Sequence, residues 1–109
     1  MLGKLISGKW IAEAVSTDQK PDNPEEHTRI INAGGIVRPI NLMGRSAGPH
    51  RVWLPDGSGP GLAMSRSFGD TIAASIGVHS EPEFTTKKLT KEDRFLVLGS
   101  DGLFEYLTN

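Results

Sequence analysis

Three carboxylates stand where a metal ion or a reacting group could be held. Asp101 follows the apolar run "FLVLGS", Glu105 comes four residues later in "SDGLFE", and Asp18 lies in "STDQKP". A carboxylate at the tip of a buried strand would face a cleft while the strand fixes its backbone. Carboxylate oxygens are also the ligands that Mg²⁺ and Mn²⁺ prefer. The spacing equally fits Asp101 as a helix cap, Glu105 as a partner of the helix dipole, and Asp18 as a loop residue.

Other reactive residue types lack the spacing of a known site. Arg66 and Asp70, four apart in "SRSFGD", favour a structural pair that organises a turn over catalysis by either. The histidines have no zinc-like spacing and the serines have no G-x-S-x-G context, which applies to His27, His50, His79, Ser16, Ser65 and Ser100. No P-loop or G-x-G-x-x-G is present.

Composition narrows the class of protein further. The chain has 109 residues, 37% hydrophobic and 23% charged, which suits one modest folded domain or part of a larger one. Its net charge of −1, with acids and bases interspersed, argues against a nucleic-acid binder. The absence of cysteine excludes disulfides and thiolate zinc sites and leaves the compartment open. The opening "MLGKLISGKWI" is too short and too polar for a signal peptide or a membrane span.

The elements that must position these residues form a mixed α/β pattern. A helix is predicted after Asn23, with Pro24 at its first position, Glu26 completing a capping box, and Gly34 ending it. The buried face of this helix is predicted to be Ile30, Ile31 and Ala33. Residues 61–70 are predicted to be helical or irregular, and a last helix is predicted to begin at "GLFEYLTN". Strands are predicted at 9–15, 36–40, 51–54, 81–89 and 94–100, the last buried on both faces, with a Gly/Ser/Pro-rich connection between the second and the third.

Four stretches together change the balance between these interpretations. "STDQKPDNPEEHTRIINAGGIV", "RVWLPDGSGPGLAMSRSFGD", "SIGVHSEPEF" and "EDRFLVLGSDGLFEYLTN" resemble consecutive blocks of the metal-dependent serine/threonine protein phosphatases of type 2C. They occur in the family's order, and the resemblance runs from about Gly8 to Asn109. It implies an α+β fold, part of a four-layer αββα sandwich in which two antiparallel β-sheets are flanked by helices.

The resemblance also implies a role for each matching position. Asp101 corresponds to an aspartate that binds the catalytic metal pair, Glu105 stands where the family usually has Asp, and Asp18 corresponds to a ligand of an additional, weaker metal site. Gln19 replaces a commonly seen His. The positions expected to be structural are Arg66, Gly69, Asp70 and Gly102, and the stretch from about Val37 to Leu62 corresponds to a variable flap beside the active site. Two Mn²⁺ or Mg²⁺ ions would activate a water for attack on phosphoserine or phosphothreonine in phosphoprotein substrates.

Some family motifs have no counterpart in the chain. The upstream "DGHGG", an early phosphate-binding Arg and a late "DN" aspartate are absent. We therefore expect residues 1–109 to be part of a type 2C catalytic domain, inactive alone because several converging carboxylates are needed to hold two ions. Incomplete sheets with exposed edges are expected to favour self-association. The alternative is a non-catalytic, pseudophosphatase-like module that binds partners, and flanking "DGHGG" and "DN" motifs would discriminate between the two.

Overall fold

The three-dimensional structure is a computed structural model that describes residues 1–104 and 107. It divides into two compact units, Asp18–Pro82 and a second unit made of Met1–Thr17 with the described part of Glu83–Asn109. Among the described residues, no helix is both long enough and apolar enough to span a bilayer. The elements in chain order are β1 (Leu2–Ile6), β2 (Lys9–Glu13), α1 (Pro24–Asn32), β3 (Ile36–Leu42), β4 (Arg45–Trp53), β5 (Pro60–Leu62), α2 (Thr71–Ala74), β6 (Asp93–Leu96) and α3 (Asp101–Phe104).

A three-stranded antiparallel sheet, in the order β3-β4-β5, is the framework of the unit Asp18–Pro82. The predicted strands at 36–40 and 51–54 are confirmed, and both are longer than predicted because the Gly/Ser/Pro-rich connection between them is itself largely paired. Leu42 pairs with Arg45 across a two-residue turn, so the connection itself belongs to one long hairpin. Met43 and Gly44 both have positive φ, 51° and 81°, as the right-handed twist of a tight hairpin requires. Gly44, at the second position of the turn, adopts this positive φ without strain because it has no side chain.

Helix α1 begins and ends where the sequence predicts, but its first turn and its buried face differ. Asn23 makes no side-chain cap bond, and its amide donates instead to the carbonyl of Asp18. Ile30 is fully buried, whereas Ile31 is 45% exposed and Ala33 is also exposed, so two of the three predicted core positions are wrong. Residue 26 shares a face with residue 30 because they are four apart. The buried face of α1 is therefore Glu26 and Ile30 rather than a purely apolar stripe.

The core of this unit lies between α1, the hairpin and the short helix α2. It consists of apolar side chains from all three and from the segment after α2, namely Ile30, Val52, Ala73, Ile76 and Val78, with Val37, Leu54 and Leu62 packed against it. Gly77 has φ +95°, and a Cβ there would lie 3.0 Å from the Cα of Ile30. The chain can thus pass closely under α1 only because this position has no side chain.

The second unit contains the other sheet, in the order β2-β1-β6, with both pairings antiparallel. The predicted strand at 9–15 is confirmed as β2. The ring of Phe95 packs over Gly3, leaving no room for a Cβ, and its centroid lies 5.5 Å from that of Trp10. Lys4, on the central strand, bridges Glu13 at 3.2 Å and Asp93 at 3.8 Å and so ties the three strands together.

The strand predicted at 94–100 is shorter and more exposed than expected. The ladder of β6 covers Asp93–Leu96, at one edge of the sheet, and the prediction of a central strand buried on both faces is wrong for this structure. Phe95 is 50% exposed, Leu96 56% and Leu98 84%. An apolar run predicts that a strand is buried only if other elements cover both its faces. Among the described residues, β1 is the strand that pairs with β6.

The strand predicted at 81–89 is also wrong. Within the part of the chain that the structure describes, this segment is irregular and belongs to neither sheet, and Phe84 is 87% exposed. Alternation of apolar and polar residues favours a strand, but the central strand β1 already pairs with β2 on one side and β6 on the other. Lys87 contacts the Glu13 carboxylate and thereby holds the coil against the sheet. The turn predicted at "TKED" is confirmed, since Asp93 accepts bonds from the backbone and side chain of Thr90.

The fold class is confirmed as α+β, with two three-stranded antiparallel sheets and a few short helices. The stretch expected to be a flap, about Val37 to Leu62, comprises nearly all of the β3-β4-β5 sheet. The four-layer arrangement and the extent of a single catalytic domain over 1–109 remain predictions.

Candidate functional site

The turn that carries Asp18 is fixed through its backbone while its side chain stays exposed. The carbonyl of Asp18 accepts the amide of Lys20 at 2.9 Å and the Asn23 side chain at 2.6 Å. The second bond joins the turn to the first residues of α1, which explains why Asn23 does not cap the helix. Within the described residues, the bonds that Asp18 makes run through its backbone carbonyl, and its side chain lies at the surface of the turn.

Ser65 connects this turn to the "SRSFGD" motif. Its backbone amide donates to the carbonyl of Gln19 at 2.9 Å, and its own carbonyl accepts Nη2 of Arg29 at 2.9 Å. Ser65 is fully buried, so both bonds are shielded from water. The motif that follows Ser65 and the turn that carries Asp18 are therefore joined to α1 through one buried residue.

A buried carboxylate with two arginines lies beneath this junction. Glu26 is 2% exposed, and its two oxygens accept Nη1 and Nη2 of Arg29, each at 2.7 Å. The Arg66 guanidinium binds the same carboxylate through Nη2 at 2.7 Å and Nε at 3.2 Å. The two arginines also reach backbone carbonyls, Arg29 that of Gly77 at 2.7 Å and Arg66 that of Glu81 at 3.0 Å. This Glu26–Arg29–Arg66 cluster joins four separate stretches of the unit.

The electrostatics of the cluster favour the ionised carboxylate. Burial by itself would raise the pKa of Glu26, but the hydrogen bonds from Arg29 and Arg66 outweigh it and hold that pKa well below its usual range. A buried charge is tolerated because each oxygen has charged donors in good geometry. Glu26 is therefore ionised at neutral pH and serves the fold.

Within "SRSFGD" the structure gives Arg66 and Asp70 different partners. Arg66 binds Glu26, whereas the Asp70 carboxylate accepts the amide of Ala73 at 2.9 Å and caps α2. The sequence predicted that both residues would organise a turn as an Arg–Asp pair, and the structure corrects the pairing. Gly69, with φ +74°, provides the left-handed backbone that leads into the cap. Arg66 also forms a parallel bridge with His79 through its backbone.

Asp101 lies at the first residue of α3, close after β6. The amides of Leu103 and Phe104 donate to the carbonyl of Ser100 at 3.0 Å and 3.2 Å, so the chain enters the helix at the position that the sequence predicted. Gly102 lies within this first turn and is exposed. Glu105 lies outside the described residues.

The described residues do not by themselves form a closed metal site. Among them, no group of three or more His, Cys, Asp or Glu side chains comes close enough to hold an ion. Asp18 belongs to one compact unit and Asp101 to the other. The assignment of Asp18, Asp101 and Glu105 as ligands therefore stays a prediction.

Sequence reasoning missed the Glu26–Arg29–Arg66 cluster, although part of its signal was readable. Glu26 and Arg29 are three apart on a helix, a spacing at which opposite charges meet. In the sequence, Glu26 was interpreted as part of a capping box, and its pairing with Arg29 was therefore missed. Both roles place an acidic residue in the first turn of the helix, so the sequence does not distinguish them. Arg66 lies forty residues beyond Glu26, a separation at which spacing carries no information.

Comparisons with known proteins identify the family to which the sequence is similar. The family model for "Protein phosphatase 2C" matches residues 3–109. A rice protein described as "Probable protein phosphatase 2C 48" is 42% identical over 98 residues, 90% of this chain and 27% of its own length. Two Arabidopsis thaliana proteins, "Probable protein phosphatase 2C 61" and "Probable protein phosphatase 2C 52", are 40% and 44% identical, over 100% and 97% of this chain.

The chain spans only part of each relative, 32% of the first Arabidopsis protein and 22% of the second. The match nevertheless covers both compact units, including the Asp18 turn, the "SRSFGD" motif and the start of α3. The chain therefore belongs to the protein phosphatase 2C family.

Proposed function

We propose that this chain is part of a Mn²⁺- or Mg²⁺-dependent protein serine/threonine phosphatase and contributes three of its metal ligands. The observation that carries the proposal is the family match over residues 3–109, which includes all three carboxylate positions. When bound, the metal ions would supply an activated water and would stabilise charge on the phosphoryl oxygens. The substrates would be phosphoserine or phosphothreonine residues in proteins.

In this proposal Asp101 and Glu105 bind the catalytic pair of metal ions, and Asp18 binds a metal ion at an additional site. Asp101 is the first residue of α3, separated by four residues from the end of β6, which is a position at which the end of a sheet can present a ligand. Asp18 is exposed on a turn whose backbone is tied to Asn23, Lys20 and, through Gln19, Ser65. Arg66, Gly69, Asp70 and Gly102 keep the structural roles expected of their motif positions.

We further propose that the isolated chain is inactive, because two divalent ions need more carboxylates than these three. The chain alone should not hydrolyse a generic phosphate ester with Mn²⁺ above the rate of buffer. Robust turnover that disappears in Asp101→Asn would contradict inactivity and would support the ligand assignment.

The competing function is a non-catalytic, pseudophosphatase-like module that binds partners. A chimera separates the two functions: this chain replaces the matched segment of a longer, active family member, which supplies the remaining ligands. The enzyme proposal predicts Mn²⁺-dependent release of phosphate from a phosphothreonine peptide. A folded but inactive chimera would instead favour the binding module.

A further inference from the structure

The hairpin formed by β3 and β4 carries an unbalanced positive charge. Between Ile36 and Trp53 the sequence has three arginines and neither Asp nor Glu, although the whole chain has a net charge of −1. The arginines are Arg38, Arg45 and Arg51. The hairpin thus carries three positive side chains without a carboxylate of its own, and a local excess of one sign attracts ligands of the other.

Two of these arginines lie directly opposite each other. Arg38 and Arg51 are Cα partners in the β3–β4 ladder, so their side chains leave the sheet on the same face. Both are half-buried, which reduces the screening of their repulsion by water. Like charges in directly opposed positions destabilise a strand pair. Either other contacts offset the repulsion between the two guanidinium groups, or the pair binds a ligand of negative charge.

The contacts of the two guanidinium groups are all with neutral groups. The Arg38 guanidinium lies 4.7 Å from the centroid of the Trp53 ring and donates to the carbonyls of Pro39 and Gly57, at 3.5 Å and 3.4 Å. Arg51 donates from Nη1 to the carbonyl of Gly61 at 2.7 Å, while its buried Nε has no hydrogen-bond partner.

Neither guanidinium is neutralised within the part of the chain that the structure describes. The ion pairs found there involve other residues, and no carboxylate lies within 4.0 Å of either arginine. Carbonyl oxygens and a tryptophan ring orient the side chains, but they leave the double positive charge in place. The ring and the carbonyls thus restrict the positions of two cations that have no ionic partner in the described residues.

We propose that Arg38 and Arg51 form an oxyanion-binding site that recognises an acidic side chain of a protein partner, either a carboxylate or a phosphate. A guanidinium presents its donors as a planar fork that matches both kinds of oxyanion, and two forks on one sheet face can share one ligand. The site is small and the rest of the chain is not basic, which fits a peptide better than a nucleic acid. The inference that the oxyanion belongs to a protein partner depends on the proposed phosphatase function. The inference that an oxyanion binds depends only on the two arginines.

The test is an NMR titration of the ¹⁵N-labelled chain with inorganic phosphate and with three peptides of equal length. One peptide contains Glu, one phosphothreonine, and one Gln at the same position. The Nε–H signals of the arginines and the Nε1–H signal of Trp53 are the reporters, because that Trp53 group donates to the Arg38 carbonyl at 2.9 Å. The two acidic peptides should shift these signals and the Gln peptide should not. The stronger acidic peptide identifies the oxyanion as carboxylate or phosphate.

Arg→Gln variants at three positions of the hairpin show which arginines bind the acidic peptide. Arg38→Gln and Arg51→Gln should each weaken binding about tenfold, the effect of losing one charge-assisted hydrogen bond. Arg45→Gln removes the same charge from the exposed end of the same hairpin and should change affinity less than about twofold. Equal losses in all three variants, or equal binding of the Gln peptide, would overturn the proposal.

Two controls keep the test decisive. If Arg51→Gln fails to fold, Arg38→Gln and the salt dependence of the wild-type chain still decide, since an ionic contact that is open to solvent on one side weakens as salt rises. Affinity that is independent of salt would contradict an oxyanion site. Binding without any phosphatase activity in the chimera would disprove the proposed function and leave this site intact.

Discussion

The backbone amide of Ser65 donates to the carbonyl of Gln19 at 2.9 Å, and Gln19 directly follows Asp18. The carbonyl of the same serine accepts Arg29, which is itself bound to the buried Glu26. The turn with the proposed ligand and the "SRSFGD" motif are thus coupled through one buried residue. The Glu26–Arg29–Arg66 cluster stabilises both segments. Its removal should therefore lower the free energy of unfolding.

Glu26→Gln should destabilise the unit Asp18–Pro82 strongly. The variant leaves Arg29 and Arg66 partly buried beside a neutral group, and breaking a buried ion pair by changing one partner costs about 3–5 kcal/mol. Urea denaturation at neutral pH measures the difference in the free energy of unfolding. Glu25→Gln is the control, since Glu25 is exposed on the same turn and its change should stay within about 0.5 kcal/mol. Equal effects of the two variants would contradict the role given to Glu26.

The same variant should reveal a pH dependence. The pKa of Glu26 in the folded chain lies below its ordinary value of 4.5, so its ionised form stabilises the fold. Folding stability from a carboxyl with a lowered pKa is complete above the ordinary value and is lost as pH falls below it. The stability gap between wild type and Glu26→Gln should therefore be constant from pH 7 to about pH 5 and narrow below pH 4.5. A gap that widens on acidification would reverse the sign and refute the account.

Gly77→Ala should destabilise the chain more than Gly34→Ala does. Both glycines have positive φ, +95° and +87°, so each substitution costs about 1–2 kcal/mol of backbone strain. A Cβ at Gly77 would also lie 3.0 Å from the Cα of Ile30 and 3.1 Å from the carbonyl oxygen of Arg29, whereas Gly34 faces open space. Thermal unfolding of both variants measures the contrast. Equal losses would mean that the close approach under α1 is not a constraint.

Self-association through the edge of β6 is a further prediction. Val97 exchanges backbone bonds with Met1, so the alternation of an antiparallel ladder directs the backbone groups of Leu96 and Leu98 away from β1. Both leucines are exposed, and an apolar open edge is a template for pairing with another chain. Sedimentation velocity should show association of the wild type that Leu98→Lys reduces. Ile31→Lys, on exposed helix surface, is the control and should leave association unchanged.

Local signals in the sequence predicted a large part of the fold. Pro24 and Gly34 mark the ends of α1 because one presets the helical φ and the other adopts a positive φ. The strands at 36–40 and 51–54 and the start of α3 also follow from short-range pattern. The four-layer arrangement and the flap are longer-range features that the resemblance implies, and they stay predictions.

The errors arose where the partner of a segment decides its state. "EPEFTTKKL" alternates like a strand, yet β1 has both its edges occupied. "RFLVLGS" is apolar enough for a central strand, but β6 lies at an edge with Phe95 and Leu96 half-exposed. Glu26 was interpreted as a capping residue, and one of its two partners, Arg66, is distant in sequence. In each case the missing information was a tertiary neighbour, which local propensity does not encode.

We propose that Asp101 of this chain is a ligand in a metal-dependent phosphatase. The most direct test is the Mn²⁺-dependent release of phosphate from a phosphothreonine peptide by the chimera, with Asp101→Asn compared against Asp56→Asn. Asp56 is exposed and its Oδ1 accepts Ser58, a bond that asparagine preserves, so this control should keep its activity. We expect Asp101→Asn to lower turnover at least about a hundredfold, since substitution of a residue that merely supports a metal ligand can already lower activity up to a hundredfold. Unchanged turnover in Asp101→Asn would contradict the account.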